Sequence, residues 1–112
     1  FNPVFDNGPG GYGHDRVKAY WRGFSPLHNI TPGAPPTVLL FGTRDKLVPV
    51  STVRRYERLM HGVDARCDVH LYEGQGHGFF NRGRPAYAET LAAVEGFLES
   101  VGYLEAPAPA AP

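Results

Sequence analysis

Residues Val38–Pro49 read VLLFGTRDKLVP, and this stretch decides the fold. Four apolar residues in succession, bounded by prolines before and by Gly42 after, predict a strand buried on both faces, as in a parallel sheet. A polar loop that carries Asp45 follows, and a helix-period segment begins at Ser51. Functional groups of open parallel sheets gather past the carboxyl ends of the strands, where Asp45 stands. An aspartate that only orders the turn is the alternative.

A second strand is predicted from Cys67 to Glu73, where residue character alternates with period two. It leads into GQGHGFFN at residues 74–81, where glycines on both sides of His77 permit a tight, irregular loop. Strand, helix and strand form a βαβ unit with parallel strands, so the two following loops lie at the same sheet edge. We therefore expect Asp45 and His77 to be neighbours in space.

The two loops resemble those that carry the acid and the histidine in α/β-hydrolases. An acid followed by a histidine at successive strand ends gives the last two members of the Ser, Asp, His order of that superfamily. The sequences GTRDKLVP at residues 42–49 and GQGHGFF at residues 74–80 are similar to loops of its esterase, lipase and prolyl-oligopeptidase-related branch. The resemblance implies the C-terminal part of an α/β-hydrolase fold, with parallel strands, flanking helices and an incomplete sheet.

The resemblance also implies a catalytic role for Asp45 and His77. The histidine would act as general base and then as general acid, while the aspartate orients its ring. A serine in the motif G-x-S-x-G should complete the triad. The chain has three serines, none of them between such glycines: Ser25, Ser51 and Ser100. We expect the nucleophile and the oxyanion hole before Phe1, so that this chain alone is inactive and requires the remainder of the hydrolase domain.

The substrate is assigned by likeness, because a triad serves both esters and amides. Hydrolysis of a small-molecule, short-chain carboxylic ester is the first choice, and peptide hydrolysis by a prolyl-oligopeptidase-like relative is the second. Phe79 and Phe80 are candidates for an acyl or leaving-group pocket; alternatively they pack beneath the loop and hold His77. A different class of function is a non-catalytic binding module that keeps the hydrolase-like half-sheet, folds cooperatively and hydrolyses nothing.

A metal site is a third alternative. Asp68 and His70 share one face of the second strand and His77 follows it, but no recognised ligand spacing completes the set. We therefore expect neither a metal nor another cofactor. The single cysteine, Cys67, cannot form an internal disulfide and is interpreted as a small buried hydrophobe.

Helical periodicity predicts three helices. The first begins at Asp15, the second begins at Ser51 and ends at a left-handed Gly62, and the third begins near Pro85 and stops at Gly102. Each carries an apolar stripe that should face the core. The first stripe consists of Val17, Tyr20, Trp21 and Phe24, and the last of Tyr87, Leu91, Val94, Leu98 and Val101, with Thr90 and Phe97 flanking it.

The composition predicts at most one domain. The chain has 112 residues, 42% of them hydrophobic, with 11 basic and 11 acidic residues. No basic cluster indicates a nucleic-acid partner, no apolar run is long enough for a membrane span, and nothing assigns a compartment. The first residue is Phe1, which is consistent with a fragment or a processed product. We predict residues 1–104 as the hydrolase part and residues 105–112 as an Ala/Pro-rich disordered tail.

Overall fold

A computed structural model describes residues 4–105. The tail predicted for residues 105–112 lies outside the described residues apart from Glu105. Contacts divide the chain into a first unit, which ends at Phe79 and holds both strands, and a second unit, which begins at Phe80. The elements of the described part are α1 His14–Val17, α2 Trp21–Phe24, a 3₁₀ turn Pro26–Asn29, β1 Thr37–Gly42, α3 Val50–Gly62, β2 Cys67–Tyr72 and α4 Tyr87–Ser100.

Strands β1 and β2 pair in parallel, with α3 between them in sequence. The register runs from Thr37 opposite Cys67 to Gly42 opposite Tyr72. This pairing confirms the predicted βαβ unit, and both strands begin and end within a residue or two of the predicted bounds. Because the strands are parallel and in register, the loops that follow them leave the sheet at the same end, the carboxyl end of the strands.

Strand β1 is the most deeply buried element of the first unit. Leu39, Leu40 and Phe41 are between 0% and 4% exposed, which confirms a strand covered on both faces. Leu39 and Phe41 belong to a cluster with Val53 and Met60 of α3, while the alternation of side chains directs Leu40 to the other face. Complete burial of one such side chain stabilises the fold by about 1.5–3 kcal/mol.

The prediction that the first helix is one continuous element with a buried apolar stripe is wrong. Residues 14–24 form two four-residue helices, and Gly13 rather than Asp15 precedes α1. Tyr20 and Phe24 are 57% and 63% exposed, so two of the four stripe residues do not enter the core. Segments this short are not stable as helices on their own, and turns such as the one from Val17 to Tyr20 interrupt the pattern.

The end of α3 also differs from the prediction. Gly62 is still helical, and the residue with left-handed φ is Asp64, at 58°. The amides of Val63 and Ala65 donate to the carbonyl of Met60, at 3.2 and 3.0 Å, so the last turn closes two residues later than the glycine indicates. Aspartate tolerates this backbone region better than most residues, which permits the shift.

Helix α4 stops as predicted, but its buried residues are the two that flank the predicted stripe. Gly102 has a left-handed φ of 85°, and the amide of Tyr103 donates to the carbonyl of Leu98 at 2.9 Å. Thr90 and Phe97 are buried, whereas Leu91 of the predicted stripe is 41% exposed. Thr90 can be buried because its hydroxyl donates to the backbone carbonyls of Ala86 and Tyr87, at the start of the helix.

Helices α3 and α4 have 13 and 14 residues. A membrane span needs about 20 predominantly apolar residues. Within residues 4–105, no helix has both the length and the hydropathy to cross a membrane.

Candidate active site

The carboxyl ends of the two strands bring Asp45 and His77 together. Asp45 lies on the acid loop, residues 43–49, and His77 on the histidine loop, residues 73–78. The Oδ2 atom of Asp45 lies 2.9 Å from the Nδ1 atom of His77, across 32 residues of sequence. The proximity expected from the parallel strands is therefore confirmed.

The two side chains differ in their exposure to solvent. The Asp45 side chain is fully buried, whereas 37% of the His77 side chain is exposed. An ionised carboxylate can only accept, so Nδ1 of the imidazole donates to it. The ring then carries its lone pair on Nε2, the nitrogen away from Asp45, where it can accept a proton.

The carboxylate of Asp45 also holds its own loop. Its Oδ1 atom accepts hydrogen bonds from the amides of Leu47 and Val48, at 2.8 and 2.9 Å. Asp45 therefore orders its own turn through Oδ1 and contacts His77 through Oδ2. Three hydrogen bonds satisfy the buried charge, which would be costly to bury without partners.

Besides the contact of Asp45 with His77, three hydrogen bonds join the acid loop to the end of β2 and to the histidine loop. The amide of Thr43 donates to the carbonyl of Tyr72 at 3.1 Å, and the amide of Arg44 donates to the carbonyl of Gln75 at 2.9 Å. The third bond uses a side chain: the amide of Gly74 donates to Oγ1 of Thr43 at 2.7 Å. These bonds extend the strand pairing past the sheet edge and keep the loops adjacent.

Glycines are required where the loops approach each other and where they turn. A Cβ atom on Gly42 would overlap the backbone carbonyl of Gln75, so only glycine fits this close approach. Gly74 and Gly78 have left-handed φ values of 77° and 76°. These angles allow the chain to reverse on both sides of His77 without the strain that a side chain would introduce.

The two phenylalanines after His77 have different surroundings. Phe79 is 4% exposed, and its ring centroid lies 4.9 Å from that of Tyr72. The contact supports the packing alternative for Phe79, because little of its surface remains for a ligand. Phe80 is half-buried and begins the second unit.

A second hydroxyl, imidazole and carboxylate lie together near the start of the chain. The Oγ atom of Ser25 lies 2.7 Å from Nδ1 of His28, and Oδ1 of Asp6 lies 4.0 Å from the same nitrogen. Ser25 is fully buried and also accepts from the amide of Asn7 at 3.0 Å. Nδ1 of His28 faces both the Ser25 hydroxyl and the Asp6 carboxylate, and the hydroxyl has no access to solvent. The cluster therefore anchors the loops that carry these three residues. The sequence signal for it, a serine and a histidine three residues apart, was too common to identify it.

Two residues of the alternative metal site, Asp68 and His77, have other partners. The Arg66 guanidinium donates two hydrogen bonds to Asp68, at 3.1 and 2.8 Å, and this pairing lowers the pKa of the Asp68 carboxyl. In the stretch from residue 4 to residue 105, no three His, Cys, Asp or Glu side chains are grouped to hold a metal ion.

Cys67 is buried, and burial is the main cause that raises its pKa to about 11, so its thiol is protonated at neutral pH.

The parallel βαβ unit, with a buried acid and a partly exposed histidine at one sheet edge, defines the class of the fold as α/β-hydrolase. The dienelactone hydrolase family matches residues 12–106, and the chain belongs to that family.

Known relatives are esterases, and the chain covers only part of each. Esterase LipC of Mycobacterium tuberculosis (strain ATCC 25618 / H37Rv) is 33% identical over 89 residues, which are 78% of this chain and 22% of that protein. Thermogutta terrifontis esterase 2 phosphoramylated by tabun is 36% identical, with a TM-score of 0.86 over 96% of this chain and 42% of its own. The propionate-bound form of that esterase is 34% identical, with a TM-score of 0.82 over 96% of this chain and 43% of its own. The chain therefore spans less than half the length of these relatives.

Proposed function

We propose that the chain is part of a serine esterase to which it contributes two of three triad residues, Asp45 and His77. The observation that carries the proposal is the 2.9 Å contact between the buried carboxylate and the partly exposed imidazole, at the ends of paired parallel strands. A carboxylate on Nδ1 fixes the tautomer and stabilises the imidazolium that forms during catalysis.

In this function, Nε2 of His77 takes the proton of a serine hydroxyl as that oxygen attacks the ester carbonyl. The same nitrogen then gives the proton to the departing alcohol, which leaves an acyl group on the serine. Water attacks the acyl-enzyme, again with His77 as base, and releases the carboxylic acid. Asp45 remains ionised throughout, which suits a carboxylate held by three N–H donors.

We propose that the nucleophile belongs to a segment that precedes Phe1. The three serines of this chain are poorly placed: Ser25 is fully buried, Ser51 begins a helix, and the Ser100 hydroxyl donates to the Phe97 carbonyl at 2.7 Å. The superfamily places the nucleophile before the acid in chain order. This chain alone therefore lacks hydrolytic activity and works only with the remainder of its domain.

The proposed substrate is a small, short-chain carboxylic ester. Two observations support this choice: the relatives are esterases, and one of them is known with bound propionate. No observation favours the prolyl-oligopeptidase-like alternative or a preference for long-chain lipids. A non-catalytic binding module remains the alternative class, and the experiment below separates it from an esterase.

The test uses a protein that contains this chain together with the residues that precede it. Replacing His77 by alanine should lower the turnover of p-nitrophenyl acetate or butyrate by about three powers of ten or more. His70→Ala is the matched control, because His70 is an exposed histidine on β2, and its turnover should stay within about twofold. Near-normal turnover by the His77 variant would end the assignment, and an inactive parent protein would favour the binding module.

A further inference from the structure

Apart from the contact of Asp45 with His77, one side chain of the acid loop forms a hydrogen bond to the histidine loop. Two backbone hydrogen bonds join the acid loop to Tyr72 at the end of β2 and to Gln75 of the histidine loop. The side-chain bond is the 2.7 Å bond from the amide of Gly74 to Oγ1 of Thr43. Backbone bonds have the same donor and acceptor groups for almost any residue, whereas this bond requires a side-chain acceptor at residue 43, here the threonine hydroxyl. Residue 43 is therefore a position, in addition to Asp45 and His77 themselves, at which a substitution changes the link.

The bond restrains a part of the histidine loop that has little other restraint. Gly74 has a left-handed φ of 77°, and a Cβ atom built on Gly74 or on Gly76 would meet nothing within 4 Å. Glycine backbones have wide conformational freedom, so this stretch depends on hydrogen bonds for its position. The side chain of His77, which follows this stretch, is itself 37% exposed.

We propose that Thr43 is a positioning residue, which holds the histidine loop against the acid loop and so maintains the contact of His77 with Asp45. Thr43 lies two positions before Asp45, and its partner Gly74 lies three positions before His77, so one bond fixes both loops near their functional side chains. Proton transfer requires accurate alignment, and displacement of a catalytic group by a fraction of an ångström lowers the rate. The inference rests on the proposed esterase function.

The test compares four variants of the protein that includes the residues before Phe1. Thr43→Val and Thr43→Ala remove the hydroxyl, and Thr43→Ser keeps it. The control is Thr37→Val: Thr37 is half-buried at the start of β1, and its hydroxyl donates to the Pro35 carbonyl at 3.0 Å, far along the strand from the loops. Ester turnover and the hydrogen exchange rate of the Gly74 amide are measured for each variant.

The valine and alanine variants should show kcat lowered by about fivefold or more, the factor that corresponds to one hydrogen bond of about 1 kcal/mol. Their KM should stay within about twofold, because Thr43 acts through His77, and their Gly74 amide should exchange faster. Thr43→Ser should recover most of both properties, and Thr37→Val should resemble the unsubstituted protein.

The proposal is overturned if Thr43→Ala matches the unsubstituted protein in kcat, or if Thr43→Ser is as impaired as Thr43→Ala. The serine and alanine variants differ only by the hydroxyl, so they decide the question even if the valine variant does not fold. His77→Ala is assayed in parallel. If His77→Ala is inactive and Thr43→Ala is normal, only the positioning role fails; if His77→Ala is active, the esterase function fails.

Discussion

At the scale of single residues, Asp45 has two separable tasks. Its Oδ1 atom accepts from the amides of Leu47 and Val48, and its Oδ2 atom meets His77. The first task shapes the acid loop and needs only an oxygen acceptor. The second needs a negative charge beside the imidazole, so a substitution that keeps the oxygen and removes the charge separates the two.

Asp45→Asn is expected to leave the fold intact and to lower ester turnover by about three to four powers of ten. The reason is that the His77 imidazole loses both the carboxylate that fixes its tautomer and the negative charge that stabilises the imidazolium. Turnover and thermal unfolding of the same preparation check this prediction. An asparagine variant that does not fold would instead favour a purely turn-ordering role for Asp45, and one with normal turnover would contradict the triad.

The pairing of these two residues follows from sequence, whereas their supporting contacts do not. Parallel strands must deliver their following loops to one edge, so the apolar run before Gly42 and the alternation after Cys67 were enough to predict the contact. The bond from Gly74 to Thr43 depends on the rotamer of one side chain and on the path of a glycine-rich loop. Neither leaves a periodic signal in the sequence.

At the scale of elements, burial on both sides made β1 predictable, and local turns made the helix ends unpredictable. Hydrophobic periodicity reports which residues could share a face but not whether the chain continues as a helix. Residues 14–24 have an i, i+3, i+4, i+7 pattern and still form two short helices. In the same way, Gly62 was the expected end of α3, and Asp64 takes the left-handed position instead.

The close approach of the two loops predicts a sharp effect at Gly42. Gly42→Ala places a Cβ atom against the Gln75 carbonyl, which is backbone and cannot rotate away, so the loops must separate and ester turnover should fall by at least about tenfold. Gly96→Ala is the matched control, because the same added methyl group meets nothing within 4 Å in α4 and should stabilise the helix by up to about 1 kcal/mol.

Equal turnover in the Gly42 and Gly96 variants would show that the spacing of the loops does not matter for the reaction. Thermal unfolding of both variants separates a loss of alignment from a general loss of stability.

At the scale of the whole molecule, the described residues form a two-stranded sheet, and relatives extend well beyond the matched part. Two-stranded sheets are marginally stable, and several large apolar side chains are exposed in this chain. They include Tyr20, Phe24, Leu91 and Tyr103. We propose that the remainder of the hydrolase domain covers some of these side chains.

Residues 1–112 alone are therefore expected to show no ester hydrolysis and no sharp thermal transition, whereas the longer protein shows both. Circular dichroism melting and p-nitrophenyl ester assays on the two proteins at equal concentration check this expectation. A sharp transition in the short chain, together with a longer protein that hydrolyses nothing, would support the binding-module alternative.

The most direct test of the central claim is a burst experiment with an organophosphate that releases p-nitrophenol when it phosphorylates a serine. The central claim is that His77, held by Asp45, activates a serine supplied by the rest of the protein. The longer protein should release one equivalent of p-nitrophenol per active site, and its His77→Ala variant should do so about a thousandfold more slowly. Equal burst rates in the two proteins would contradict the claim.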